Sequence, residues 1–144
     1  GEEQFTYTSL DDARIIDSYL YGNQDYNLKS RQNLPYSIFI NPPFARVGMT
    51  EAEALAANLD IRTNILPVAK MPRAHVTGDL RGVFKAVIAK HSNQILGASL
   101  FGAQAHEIIN IVKLAKDYNL PASVLHNQVF THPTMADNLN DLFK

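Results

Sequence analysis

Two apolar runs joined by three residues constrain this chain more than any other feature in it. Gly82-Val83-Phe84-Lys85-Ala86-Val87-Ile88-Ala89-Lys90 and Gln94-Ile95-Leu96-Gly97-Ala98-Ser99-Leu100-Phe101 flank His91-Ser92-Asn93. So short a joint makes them a β-hairpin, and hence an antiparallel pair. Both runs are almost continuously apolar rather than alternating, which predicts burial on both faces.

The other segments supply partners for that hairpin. Ile61, Thr63 and Ile65 alternate with Arg62, Asn64 and Leu66, so 61–68 reads as a strand. Residues 35–40, stopped by Asn41-Pro42-Pro43, read as another. Thr50 with Glu53 forms a capping box for a helix over 51–58. Residues 69–79 read as irregular, with Pro72 and Gly78 as breakers. The longest helix starts at 102–109 and ends near Tyr118-Asn119, with Ala105, Ile108, Ile109, Val112 and Ala115 as its apolar stripe. Ile111 and Leu114 widen that stripe, so the helix is expected to pack on more than one side. Residues 121–125 are a short helical turn, and the last helix carries Leu139, Leu142 and Phe143.

At the other end, residues 1–9 read as an extended arm in which Phe5, Tyr7 and Ser9 alternate with Thr6 and Thr8. Ser9 is the expected N-cap of a helix with Ile15, Ile16, Tyr19 and Leu20 on one side, ended by Gly22-Asn23. The polar stretch 23–33 reads as a linker. Together the segments predict an α+β fold: an antiparallel sheet of about four to five strands with helices on one side.

Composition narrows the function. At 144 residues and 46% hydrophobic content the chain can bury a core as one domain, or one domain plus an arm. A net charge of −1 gives no electrostatic case for nucleic acid. No apolar run reaches the length of a membrane span and no signal peptide is visible, so no membrane association and a cytoplasmic location are expected. There is no cysteine, hence no thiol pair or thiolate metal site in this chain, and no Gly-x-Gly-x-x-Gly fingerprint. With a start lacking methionine, these absences fit the C-terminal piece of a longer protein.

The chemistry concentrates in Thr131-His132-Pro133-Thr134-Met135-Ala136-Asp137. Pro133 pushes His132 out of helical conformation, just ahead of a helix that can begin near Thr134. Asp137, in its first turn, can reach back to one imidazole nitrogen and leave the other for proton transfer. On spacing alone the favoured reading of the same stretch is a helix entry, with Pro133 near the first position and Thr134 or Asp137 as a cap. His126, His132 and Asp137 form the one metal-ligand set worth weighing, but histidines six positions apart are no standard ligand spacing, and no metal is expected. His106-Glu107 reads as a surface pair, His75 and His91 as solvated loop residues, and Lys113 and Lys116 as a helix face near the C-terminus, where positive charge suits the dipole.

The same stretch resembles the C-terminal His-Pro-Thr-x-Ser/Ala-Glu signature of the pyridine nucleotide-disulfide oxidoreductases, the family of glutathione reductase, dihydrolipoamide dehydrogenase and mercuric reductase. Pro42 to Glu51 is similar to that family's Pro-x-x-x-x-Val-Gly-x-Thr-Glu segment. Gly82 to Lys85 with Ile95-Leu96-Gly97, and Gly102 to Ile109, resemble its later strands and helix. Phe5 to Asp12 looks like the chain leaving the FAD domain in the mercuric-reductase-like branch. The departure is aspartate at 137 where the signature has glutamate, one methylene shorter.

The resemblance implies that 1–33 is an arm, helix and linker from the preceding FAD domain and 34–144 the dimerisation domain. It implies a homodimer that sets His132, oriented by Asp137, as the acid/base group in the partner subunit's active site, with His132 and Pro133 approaching that subunit's flavin. A cis bond between His132 and Pro133 is expected with it. The parent enzyme would use FAD and NAD(P)H, held by domains outside this chain, to reduce a disulfide. The isolated chain would bind neither cofactor and be inert. Two other readings stay open: a soluble transhydrogenase-like flavoprotein without a working cysteine pair, and a stand-alone dimerisation or binding module.

Overall fold

The computed structural model describes residues 5–144; Gly1-Glu2-Glu3-Gln4, the start of the expected arm, lie outside the described residues. The chain separates into two compact units, Gly1–Gln32 and Asn33–Lys144.

In the first unit, helix α1 spans Thr6–Tyr21. Phe5 occupies its N-cap position, not Ser9, whose backbone N–H already donates to Phe5 O at 3.1 Å. Of the described part of the expected extended arm, residues 6–9 are therefore helical and only Phe5 is extended. The β-branched Thr6 and Thr8 favour extension only weakly, and a tertiary anchor outweighs that preference. Thr8 and Asp11, one turn apart, are the buried face of α1. Asp11 accepts from the Tyr26 hydroxyl at 2.6 Å and from Arg31 Nε at 2.7 Å, and Arg31 also reaches Asp12. The Tyr26 hydrogen bond holds the Asp11 carboxyl below its ordinary range against the opposing effect of burial, and Arg31 adds to it. The expected apolar side is the outward one: Ile16, Tyr19 and Leu20 are exposed. Gly22 ends the helix as expected, and residues 23–32 form a loop with one short 3₁₀ turn at Leu28–Ser30.

The second unit is built on a five-stranded sheet, antiparallel throughout, in the order β1-β2-β5-β4-β3. The strands are β1 (Tyr36–Ile38), β2 (Phe44–Gly48), β3 (Ile61–Pro67), β4 (Val83–Ala89) and β5 (Ile95–Phe101). The hairpin β4–β5 is at the heart of the pairing, with a register shift after Val87. On one face β4 buries Phe84, Ala86 and Ile88 and β5 buries Ala98 and Leu100. On the other face Val87 is buried but Val83 is 39% exposed. Burial on both faces thus holds only towards one end of the strand. β2 is not expected from the sequence, because its five residues fall between Pro43 and the capped start of the next helix.

Six helices complete the described chain: α1, α2 (Glu51–Ala56), α3 (Pro72–Thr77), α4 (Ala105–Asp117), α5 (Ala122–Asn127) and α6 (Leu139–Leu142). The Thr50–Glu53 capping box is present in both directions at the start of α2. The segment 69–79 is not irregular. Pro72 opens α3, where a missing N–H leaves no bond unmade, and Gly78 ends it in left-handed conformation. His75 accordingly lies on a helix, its Nε2 2.8 Å from Ala69 O. Helix α4 lays Ile108, Ile109, Val112 and Ala115 on the sheet, and Leu139, Leu142 and Phe143 close the same core. One contact fixes how β2 meets β5. A Cβ on Gly97 would stand 2.1 Å from Met49 O and 2.6 Å from Met49 N, so no side chain fits there.

Candidate active-site dyad and its family

The loop from α5 to α6 carries the candidate site, and both ends of that loop are tied. The Asn140 carboxamide donates to Leu125 O at 2.8 Å and to His126 O and Gln128 O at 2.9 Å. His126 Nδ1 answers by donating to Asn140 O at 2.8 Å. Met135 and Leu139, on the far side of the loop, are fully buried. The exposed residues between them are thus held at both ends.

The peptide bond between His132 and Pro133 is cis, as expected. After it, Thr134 N–H donates to Asp137 Oδ2 at 3.2 Å and Asp137 N–H donates to Thr134 Oγ1 at 3.1 Å. This reciprocal pair is a capping box with aspartate in the carboxylate place. It sits where Ala136–Asn138 forms a 3₁₀ turn leading into α6. The same Oδ2 lies 2.7 Å from His132 Nδ1. Helix entry and dyad were alternative readings of the sequence; the same carboxylate serves both.

Protonation follows from the donor count. The carboxylate only accepts hydrogen bonds, so the proton between the two groups sits on His132 Nδ1. Nε2 is left as the acceptor nitrogen of the neutral ring. The His132 side chain is 67% exposed and that of Asp137 12%. The carboxylate is sheltered while most of the imidazole side chain is exposed. Asp137 reaches the ring directly, so the missing methylene does not break the pair.

The remaining candidates stay apart. His126 is engaged with Asn140, and among the described residues no three His, Cys, Asp or Glu side chains gather closely enough to hold a metal ion. His106 lies 3.7 Å from Glu107 and His91 3.0 Å from Asp60, both pairs at the surface. Lys113 pairs with Asp117, and partial burial lowers the pKa of the Lys116 ammonium. Asn138 was not anticipated. It is buried, and its Nδ2 donates to Asp137 Oδ1 at 2.6 Å. One signal was available: a polar residue four positions before Leu142, inside an apolar stripe. Among the described residues no helix is long and apolar enough to cross a membrane.

The site is thus a sheltered carboxylate beside an exposed histidine, carried on a loop of a domain built on a five-stranded antiparallel sheet with helices. The chain belongs to the pyridine nucleotide-disulphide oxidoreductase dimerisation domain family, whose model matches residues 34–143. It is similar to the probable pyridine nucleotide-disulfide oxidoreductase RclA of Escherichia coli K12, with 50% identity over 99% of this chain and 32% of RclA. The solved structure of the HOCl-induced flavoprotein disulfide reductase RclA from Escherichia coli superposes with a TM-score of 0.96 over 99% of this chain and 33% of that one, at 50% identity. A dihydrolipoyl dehydrogenase of Mycobacterium bovis is 32% identical over 85% of this chain and 26% of its own length. The chain therefore spans about a third or less of the relatives it matches.

Proposed function

We propose that this chain is the dimerisation domain of a FAD-dependent NAD(P)H:disulfide oxidoreductase and supplies His132 as the acid/base group to the partner subunit's redox site. The observation that carries the reading is the exposed imidazole whose Nδ1 is held 2.7 Å from Asp137, leaving Nε2 free. Residues 1–33 are assigned to the preceding FAD domain and 34–144 to the interface of a homodimer. The sheet is antiparallel throughout. It therefore has no parallel βαβ unit of the kind whose glycine turn cradles a dinucleotide, and FAD and NAD(P)H are assigned to the other domains.

When bound there, the flavin would accept hydride from NAD(P)H and pass electrons to a disulfide. The work of this chain is with the accompanying proton. His132 Nε2 takes a proton from a thiol of the partner's site to release the thiolate, and returns it when the thiol is re-formed. Asp137 stabilises the imidazolium formed in between and keeps the ring from turning. A general acid/base placed in this way contributes about 10²–10⁴ in rate.

The test is His132→Ala in the parent enzyme. Disulfide-linked turnover should fall at least about a hundredfold while flavin reduction by NAD(P)H is nearly unchanged. Unchanged turnover would reduce the motif to a helix entry, and a parent with no disulfide-linked turnover at all would belong with the transhydrogenase-like flavoproteins. Light scattering on the isolated chain tests the dimer. A monomer at every concentration up to about millimolar would remove the interface reading, for which a buried patch on the order of 800 Å² per subunit is expected.

A further inference from the structure

The geometry points to Asn138 as a third member of the His132–Asp137 pair: a positioning residue whose carboxamide holds the carboxylate in the orientation that keeps a proton on His132 Nδ1. The inference rests on the acid/base reading of His132 and identifies what keeps that group ready.

Asn138 is only 5% exposed, beside the buried Met135, Leu139 and Leu142. A carboxamide in such surroundings must satisfy its hydrogen bonds locally. Its Nδ2 donates to Thr134 O at 3.1 Å and to Met135 O at 3.3 Å. Both are carbonyls and can only accept, so they fix which end of the amide points this way. The third neighbour, Asp137 Oδ1 at 2.6 Å, must then also receive an N–H. The amide is set by the main chain, and it sets the carboxylate in turn.

The two oxygens of Asp137 thereby have separate duties. Oδ2 accepts from His132 Nδ1 and Thr134 N–H, and Oδ1 accepts from Asn138. Without the Asn138 contact the carboxylate could rotate about its Cβ–Cγ bond and share the ring between its two oxygens. A donor on Oδ1 also stabilises the ionised carboxylate, which keeps the shared proton on the imidazole. Aspartate has one torsion fewer than glutamate with which to correct a misplaced carboxylate, so the outer contact matters more here than it would behind a longer side chain.

The experiment reads the tautomer of His132 directly, by long-range proton–nitrogen NMR on this chain. In the native chain the neutral ring should be almost entirely the Nδ1–H form. Asn138→Ala should lower the ratio of Nδ1–H to Nε2–H forms by roughly threefold or more, while Asn138→Ser, which keeps a donor, should retain most of it. In an Asp137→Ala background Asn138→Ala should have no further effect, because the contact acts only through the carboxylate. A loss of packing would move the ratio in both backgrounds. An unchanged ratio in Asn138→Ala, or an equal change in both backgrounds, overturns the inference. Should the alanine chain not fold, the native chain decides: one Asn138 carboxamide proton must shift as Asp137 is titrated with acid, and two insensitive protons overturn the inference equally. The outcome is separable from that of the catalytic reading. A dispensable His132 in the parent enzyme would sink that reading and leave the tautomer result standing. An essential His132 with a ratio indifferent to Asn138 would do the reverse.

Discussion

His132 Nδ1 and Asp137 Oδ2 are 2.7 Å apart, in contact across five positions of chain that include a cis-proline bond and a capping box. The carboxylate is placed by Thr134, whose backbone N–H and side-chain oxygen both bond to residue 137. The ring is therefore oriented by the start of the following turn, not by a distant element.

Asp137→Ala should lower the stability of the chain as well as release the ring. The substitution removes the acceptor of Thr134 N–H and one partner of the buried Asn138 amide. A loss of about 1–2 kcal/mol is expected in urea denaturation. A neutral result would mean that water replaces the carboxylate without penalty and that the turn does not depend on it.

At the start of α2, Thr50 Oγ1 accepts from Glu53 N–H at 3.1 Å, and Glu53 returns the contact to Thr50 N–H at 2.7 Å. Arg46 holds the same carboxylate at 2.5 Å. Thr50→Ala should cost about 1 kcal/mol, seen as a lower thermal midpoint with an unchanged circular dichroism spectrum at low temperature.

Two glycines should respond oppositely in size. Gly97→Ala places a methyl against the backbone of Met49 and should destabilise by about 3 kcal/mol or more, enough to reduce soluble yield. Gly78→Ala meets nothing within 4 Å and has only the left-handed backbone to oppose it, at φ +75°. A cost of about 1 kcal/mol is expected there. Equal effects at the two sites would contradict the close approach of β2 and β5.

Acid should loosen the first unit through Asp11. Its carboxyl is held below the ordinary value of 3.8 by Tyr26 and Arg31. A depressed folded-state value means that the stabilisation is complete above about pH 4 and disappears as the pH falls through the lowered value. Amide protection factors in α1, corrected for the intrinsic exchange rate at each pH, should therefore fall on acidification below about pH 4, and Asp11→Asn should remove that acid dependence. Protection factors that rise on acidification would reverse the sign and reject the account.

What could be read in the sequence was what local pattern encodes. β3, β4 and β5 announce themselves through β-branched and apolar runs, the box before α2 through its two residues, and the His132–Asp137 pair through a proline that forbids a helix at 132. What could not be read depended on distant partners. Five residues of β2 lie between Pro43 and a helix cap, and pairing with β1 and β5 on either side makes them a strand. Pro72 has the same chemistry whether it breaks a segment or opens a helix, and the buried Ala74 beside Met71 and Val68 decides for the helix. Helix α1 starts early because Asp11 finds Tyr26 and Arg31, which lie 15 and 20 positions away. Asn138 and Asn140 act through backbone carbonyls, to which hydrophobic periodicity is blind.

The clamp that Asn140 makes on Leu125, His126 and Gln128 has a thermodynamic consequence for association. A loop that must be ordered on docking loses conformational entropy at that moment, and the loss weakens the complex and slows its formation. Here the ends of the loop are already joined to each other within one chain. Association should proceed as the meeting of two finished shapes, with little backbone adjustment near residue 132 and a rate set by encounter and orientation alone.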